Sequence, residues 1–100
     1  MVDNKEVIER LVEKTLDGDI EWIVGETTCF TKVDITNRKY ISYKIGTNFH
    51  VGRYEKSLIV KLSSDRYSFT VLILYANKYK IIYELEEMVR EFFTPLKKRK

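Results

Sequence analysis

Cys29 and His50 are the sole cysteine and the sole histidine of this 100-residue chain. They are therefore the only residues that could pair as a thiolate and an imidazole, and such a pair works only within hydrogen-bond reach. No nucleophile motif surrounds Cys29, so the sequence reads as a small apolar strand residue and a loop histidine. A structural zinc site needs about four nitrogen or sulfur ligands, more than one cysteine and one histidine supply. Asp17-Gly18-Asp19 lacks the further oxygen ligands of a calcium loop and reads as a helix stop followed by a turn. The 15 acidic residues allow carboxylate pairs of the kind that hydrolyse glycosides, but almost all fall on predicted helix faces. Neither a Walker A loop nor a dinucleotide fingerprint is present, and Gly46 and Gly52 read as turn residues. The expectation is a non-enzymatic protein without metal or cofactor.

Two sets of residues could bind rather than react. Lys97, Lys98, Arg99 and Lys100 form a basic tail, and removing their four charges from the net +3 leaves 3 − 4 = −1 for the body. Such a tail can contact phosphates by releasing counterions. Lys32, Arg38, Lys39, Lys44, Arg53 and Lys56 lie among Tyr40, Tyr43 and Tyr54, and basic residues interleaved with aromatics can make a nucleic-acid platform. Lys39, Lys44, Arg53, Tyr43 and Tyr54 with the tail are the candidate nucleic-acid residues. Lysines that protect sheet edges and a solubilising tail are the simpler account of the same pattern. The second set is Tyr79, Tyr83, Phe92 and Phe93, which flank or close an apolar helical stripe and could anchor a protein partner or a second copy.

The elements that must position these residues are legible in outline. Asp3 or Asn4 can cap a helix, and Asp3 with Glu6 resembles a capping box. Ile8, Leu11, Val12 and Thr15 share one helical stripe, and Gly18 can take the left-handed conformation that ends helices. The spacing predicts a helix from Asn4 to Leu16. Ile20, Trp22 and Val24 then alternate as a strand. Further strands are predicted at Thr27–Ile35, with Cys29, Thr31, Val33 and Ile35 on one face, and at Tyr40–Ile45, broken by Gly46-Thr47-Asn48. Phe49–Tyr54 reads as either a short edge strand or a shaped loop. Leu58–Leu62 alternates clearly. Tyr67–Tyr75 is apolar on both faces toward its end, which predicts a central strand. Ile81, Ile82, Leu85, Met88, Val89, Phe92 and Phe93 have helical period, and Pro95 stops that helix. The predicted core includes Leu11, Trp22, Val60, Val71, Ile73, Leu85 and Val89.

The order is helix, four to five antiparallel strands joined as a meander, and an amphipathic helix, with both helices on one sheet face as an α+β fold. Residues 1–94 are expected to form one domain, followed by a disordered basic tail at 95–100. The stretch Leu11-x-x-Lys14-Thr15-x-x-Gly18-x-Ile20-x-Trp22 resembles the opening of small helix–meander–helix proteins of Gram-positive bacteria and their prophages. That resemblance implies a fold and no agreed activity, and it assigns no functional residue. A lone cysteine fits a reducing cytoplasm. The N-terminus lacks a signal-peptide core, and the longest strongly apolar run, Val71 to Ala76, is too short to span a bilayer. The function expected from these readings is a protein-interaction module, a bacterial or prophage accessory factor, with nucleic-acid binding as the alternative.

Overall fold

The computed structural model describes residues 3–36 and 38–93. The chain runs α1 (Asn4–Leu16), β1 (Ile23–Val24), β2 (Cys29–Thr36), β3 (Lys39–His50), β4 (Arg53–Ser63), β5 (Ser68–Tyr75) and α2 (Ile81–Phe93). The strands form one antiparallel meander in the order β1-β2-β3-β4-β5. The α+β fold expected from the sequence is the fold observed.

Helix α1 begins where Asp3 accepts a hydrogen bond from the Lys5 backbone N–H at 3.2 Å. It ends in a Schellman motif. Gly18 has φ +82°, the Asp19 N–H donates to the Lys14 carbonyl at 2.9 Å, and the Gly18 N–H donates to the Thr15 carbonyl at 3.2 Å. The left-handed turn at Gly18 costs a residue without a Cβ almost nothing. It sends the chain back under the helix, where the Trp22 indole N–H donates to Thr15 Oγ1 at 3.0 Å.

Residues directly opposite one another in an antiparallel pair share a sheet face, so the register defines three rows on the helix side. Cys29–Ile45–Leu58–Leu74 is the first, Thr31–Tyr43–Val60–Leu72 the second, and Val33–Ile41–Leu62–Phe69 the third. All four residues of the first row are buried, and they join Ile8, Leu11, Trp22, Ile82, Leu85 and Val89 in one core. Helix α1 packs against α2, and α2 lies against β1, β2 and β4. The helices thus cover one end of the sheet.

Four local expectations are corrected. The segment Ile20–Val24 contributes only Ile23–Val24 to the ladder, although Ile20 and Trp22 are buried; Trp22 leaves the sheet to reach α1. Gly46 does not break β3 but lies inside it. A Cβ there would stand 3.0 Å from the Thr28 methyl, so the glycine admits the β1–β2 turn against the strand. Phe49–Tyr54 is the tip of the β3–β4 hairpin, and positive φ at both Val51 (49°) and Gly52 (78°) matches the twist of the flanking strands. Finally, β5 is an edge strand and not a central one. Val71 is 53% exposed and Ile73 40% exposed, so neither belongs to the core. The other predicted core residues, Leu11, Trp22, Val60, Leu85 and Val89, are buried.

Candidate functional site: an uncovered apolar shelf

The third helix-side row lies beyond the reach of the helices. Val33 and Phe69 are exposed, and Ile41 and Leu62 are half-buried. The Tyr67 ring stacks on Phe69 with centroids 5.5 Å apart and planes 15° apart. Together they make a continuous apolar shelf across β2 to β5. A soluble fold normally covers such a row or fills it with polar side chains, and a contiguous exposed patch marks a contact surface. Sequence reasoning placed these residues on strands but could not see which end of the sheet the helices would cover.

The residues singled out on and just before α2 do not form one surface. Tyr79 and Phe93 pack against the core, and the Tyr79 hydroxyl accepts from Asn4 Nδ2 at 3.3 Å. Tyr83 and Phe92 are exposed, but they are nine positions apart. At about 3.6 residues per turn that separation places them on opposite flanks of the helix.

The basic and aromatic residues are likewise divided. Pairing in β3 and β4 puts Lys44 on the open face of the sheet, opposite Phe30 and Ile59. Arg53 lies in register with His50 on that same face and reaches Glu55 Oε1 at 3.8 Å. Lys39, Tyr43 and Tyr54 alternate onto the helix side. There Tyr43 is half-buried between Thr31 and Val60, and Tyr54 makes an edge contact with Phe49 at the hairpin tip. Lys97, Lys98, Arg99 and Lys100 lie outside the described residues, as does the predicted tail as a whole. The open face instead gathers Lys32, Lys44 and Lys61 in two adjacent rows, with Lys32 Nζ 4.8 Å from the Tyr40 ring centroid.

Cys29 and His50 are not neighbours in function. Cys29 is fully buried in the first helix-side row, whereas His50 stacks on Tyr75 at 3.9 Å on the other face. Burial pushes the Cys29 thiol above its ordinary value of 9.0, against a smaller opposite pull from Arg90. Burial also raises the Tyr43 phenol. An acid whose folded pKa is raised stabilises the fold fully below its unfolded pKa, and that stability is lost as pH rises. Thermal midpoints should therefore fall above about pH 9, and less steeply in Cys29→Ala. In the native state Cys29 should react with a maleimide at least about a hundredfold more slowly than in urea-unfolded chain. Equal rates would contradict the burial.

Among the described residues no group of three or more His, Cys, Asp and Glu side chains is placed to hold a metal ion, and no helix is long and apolar enough to cross a membrane. An open groove of about 690 Å³ between the starts of α1 and α2 is lined by charges of both signs, including Lys5, Glu9, Lys80 and Glu84. No family model matches the chain, and neither a curated protein nor a solved structure matches it.

Proposed function

We propose that the chain is a non-enzymatic protein-interaction module whose contact surface is the uncovered shelf together with the adjoining edge strand β5. The observation that carries this reading is the apolar row Val33–Ile41–Leu62–Phe69, left open on the side of the sheet where the row Cys29–Ile45–Leu58–Leu74 is fully buried. Covering it removes apolar surface from water at about 25 cal/mol per Å², a driving force the isolated chain leaves unused. The sequence resemblance to small helix–meander–helix proteins of Gram-positive bacteria and their prophages, together with the lone cysteine, supports a cytoplasmic bacterial setting for such a module.

The experiment is a binding comparison between wild type and Phe69→Lys/Ile73→Lys. Wild type should associate stoichiometrically with a defined protein, itself or another, and the charged double variant should lose that association while keeping its far-UV circular dichroism. An unchanged binding profile would sink the reading.

Nucleic-acid binding is favoured by one specific observation, the cluster of Lys32, Lys44 and Lys61 beside Tyr40 on the open face. It predicts binding to single-stranded probes at low salt that weakens as salt rises and weakens again in Lys44→Glu. Absence of any mobility shift at low salt argues against it.

A further inference from the structure

Strand β5 has the composition of a strand with neighbours on both sides. Ser68–Tyr75 (Ser-Phe-Thr-Val-Leu-Ile-Leu-Tyr) contains no charged residue. Both of its faces carry apolar side chains: Leu72 and Leu74 look toward the helices, and Ile73 continues the open-face row Ile23–Phe30–Lys44–Ile59–Ile73, beside Thr70 and Tyr75. Yet β5 pairs on one side alone, with β4, and leaves Phe69, Val71 and Ile73 between 40% and 53% exposed. Edge strands normally carry lysine, proline or inward-pointing charge to prevent pairing with another chain. The single blunting feature here is the bulge at Val71, where the register shifts between Val60 and Lys61.

The opposite side of the sheet is built differently. Strand β1 has two residues, the segment before it carries Asp19 and Glu21, and the exposed part of β2 carries Lys32 and Asp34. Of the four strands longer than two residues, only β5 lacks charge.

Resting on the interaction reading above, we infer that β5 pairs antiparallel with β5 of a second copy about a two-fold axis, joining two five-stranded sheets into one. Three features select a second copy over another occupant. An uncharged strand offers no complementary charge to an acidic or basic peptide. Paired with itself, it brings no like charges together, so the contact is self-complementary as a two-fold requires. The axis also brings a neighbour to the Phe69 end of the shelf. The helices cover the Leu74 end of the sheet and leave the Phe69 end open. Antiparallel pairing sets the Phe69 end of one copy beside the helix-covered end of the other, so each helical layer flanks the other copy's exposed Phe69 and Tyr67. Main-chain hydrogen bonds would supply the affinity, and the alternating side chains the register.

Sedimentation equilibrium of the full chain, from micromolar to submillimolar concentration, tests this against two variants. Ile73→Lys adds a charge at the β5 edge. Ile23→Lys adds one on the opposite edge strand β1, four strand spacings or about 19 Å from β5. Wild type and Ile23→Lys should sediment at twice the 12.0 kDa chain mass, and Ile73→Lys at the monomer mass with an unchanged circular dichroism spectrum. If Ile73→Lys fails to fold, Val71→Lys replaces it. Hydrogen exchange of wild type provides a readout without mutation: β5 amides should exchange more slowly as concentration rises.

A dimer that survives Ile73→Lys, whether or not it survives Ile23→Lys, overturns pairing through β5. Open-ended assembly also overturns the two-fold. A wild-type monomer that binds a different protein through these residues overturns the second copy and leaves the interaction reading standing. A monomer that binds no protein overturns both.

Discussion

Replacing Trp22 by alanine lowers the unfolding free energy by about 3–5 kcal/mol. The indole is 4% exposed and belongs to no strand; it is held by packing in the core and by one hydrogen bond to α1. Thr15 Oγ1 accepts the indole N–H at 3.0 Å and donates to the Leu11 carbonyl at 2.7 Å. Truncation therefore leaves the threonine hydroxyl with a partner, and most of the loss comes from the cavity. Trp22→Phe separates the two terms. It keeps much of the ring volume and removes the donor, so it should cost clearly less than alanine, with about 1 kcal/mol from the lost hydrogen bond. A domain of this size has about 5–15 kcal/mol in total, so the alanine variant stands near the limit of folding. Urea unfolding followed by far-UV circular dichroism reads the change without the tryptophan signal. A loss below about 1 kcal/mol would contradict the role of Trp22 as the pin between α1 and the sheet.

What could be read from the sequence was what local chemistry determines. Both helices follow from their apolar stripes, and the end of α1 follows from Gly18, because no tertiary contact is needed to make a left-handed residue favour glycine. The strand faces of β2 follow from period two at Cys29, Thr31 and Val33. Gly46 misled because a glycine between polar residues looks like a turn, while its reason lies in Thr28, a residue on another strand. Val71 and Ile73 misled for a related reason. Apolar residues on both faces do indicate two-sided burial, but a meander places its last strand at an edge whatever its composition. Their exposure is the mismatch on which the proposed β5 pairing rests. The shelf was illegible because its existence depends on how far along the sheet the helices reach.

The Glu86 carboxylate shows the same division between near and distant partners, and it carries the second large effect. Its i, i+4 pairing with Arg90 was legible from helical spacing, and Arg90 Nε lies 3.3 Å from Glu86 Oε2. Its other partner was not legible: Lys56 Nζ, on β4, stands 2.9 Å from the same oxygen. Arg90 Nη1 also donates to the Gly25 carbonyl at 2.7 Å, so one carboxylate ties together α2, β4 and the β1–β2 turn. The Glu86 side chain is 12% exposed, against 22% for Lys56 and 30% for Arg90. Glu86→Ala removes the anion that Lys56 Nζ and Arg90 Nε share. It should cost about 2–3 kcal/mol, below the range for fully buried pairs because both cations retain some water. Glu86→Gln keeps an acceptor and should cost less. The decisive variant is Lys56→Met/Glu86→Leu, which removes one cation with the anion and fills the space with apolar atoms. It should recover most of the stability lost in Glu86→Ala, because the penalty comes chiefly from Lys56 losing its anion and not from lost contact area. If Glu86→Ala cost under about 1 kcal/mol, the cluster would behave as an ordinary surface ion pair.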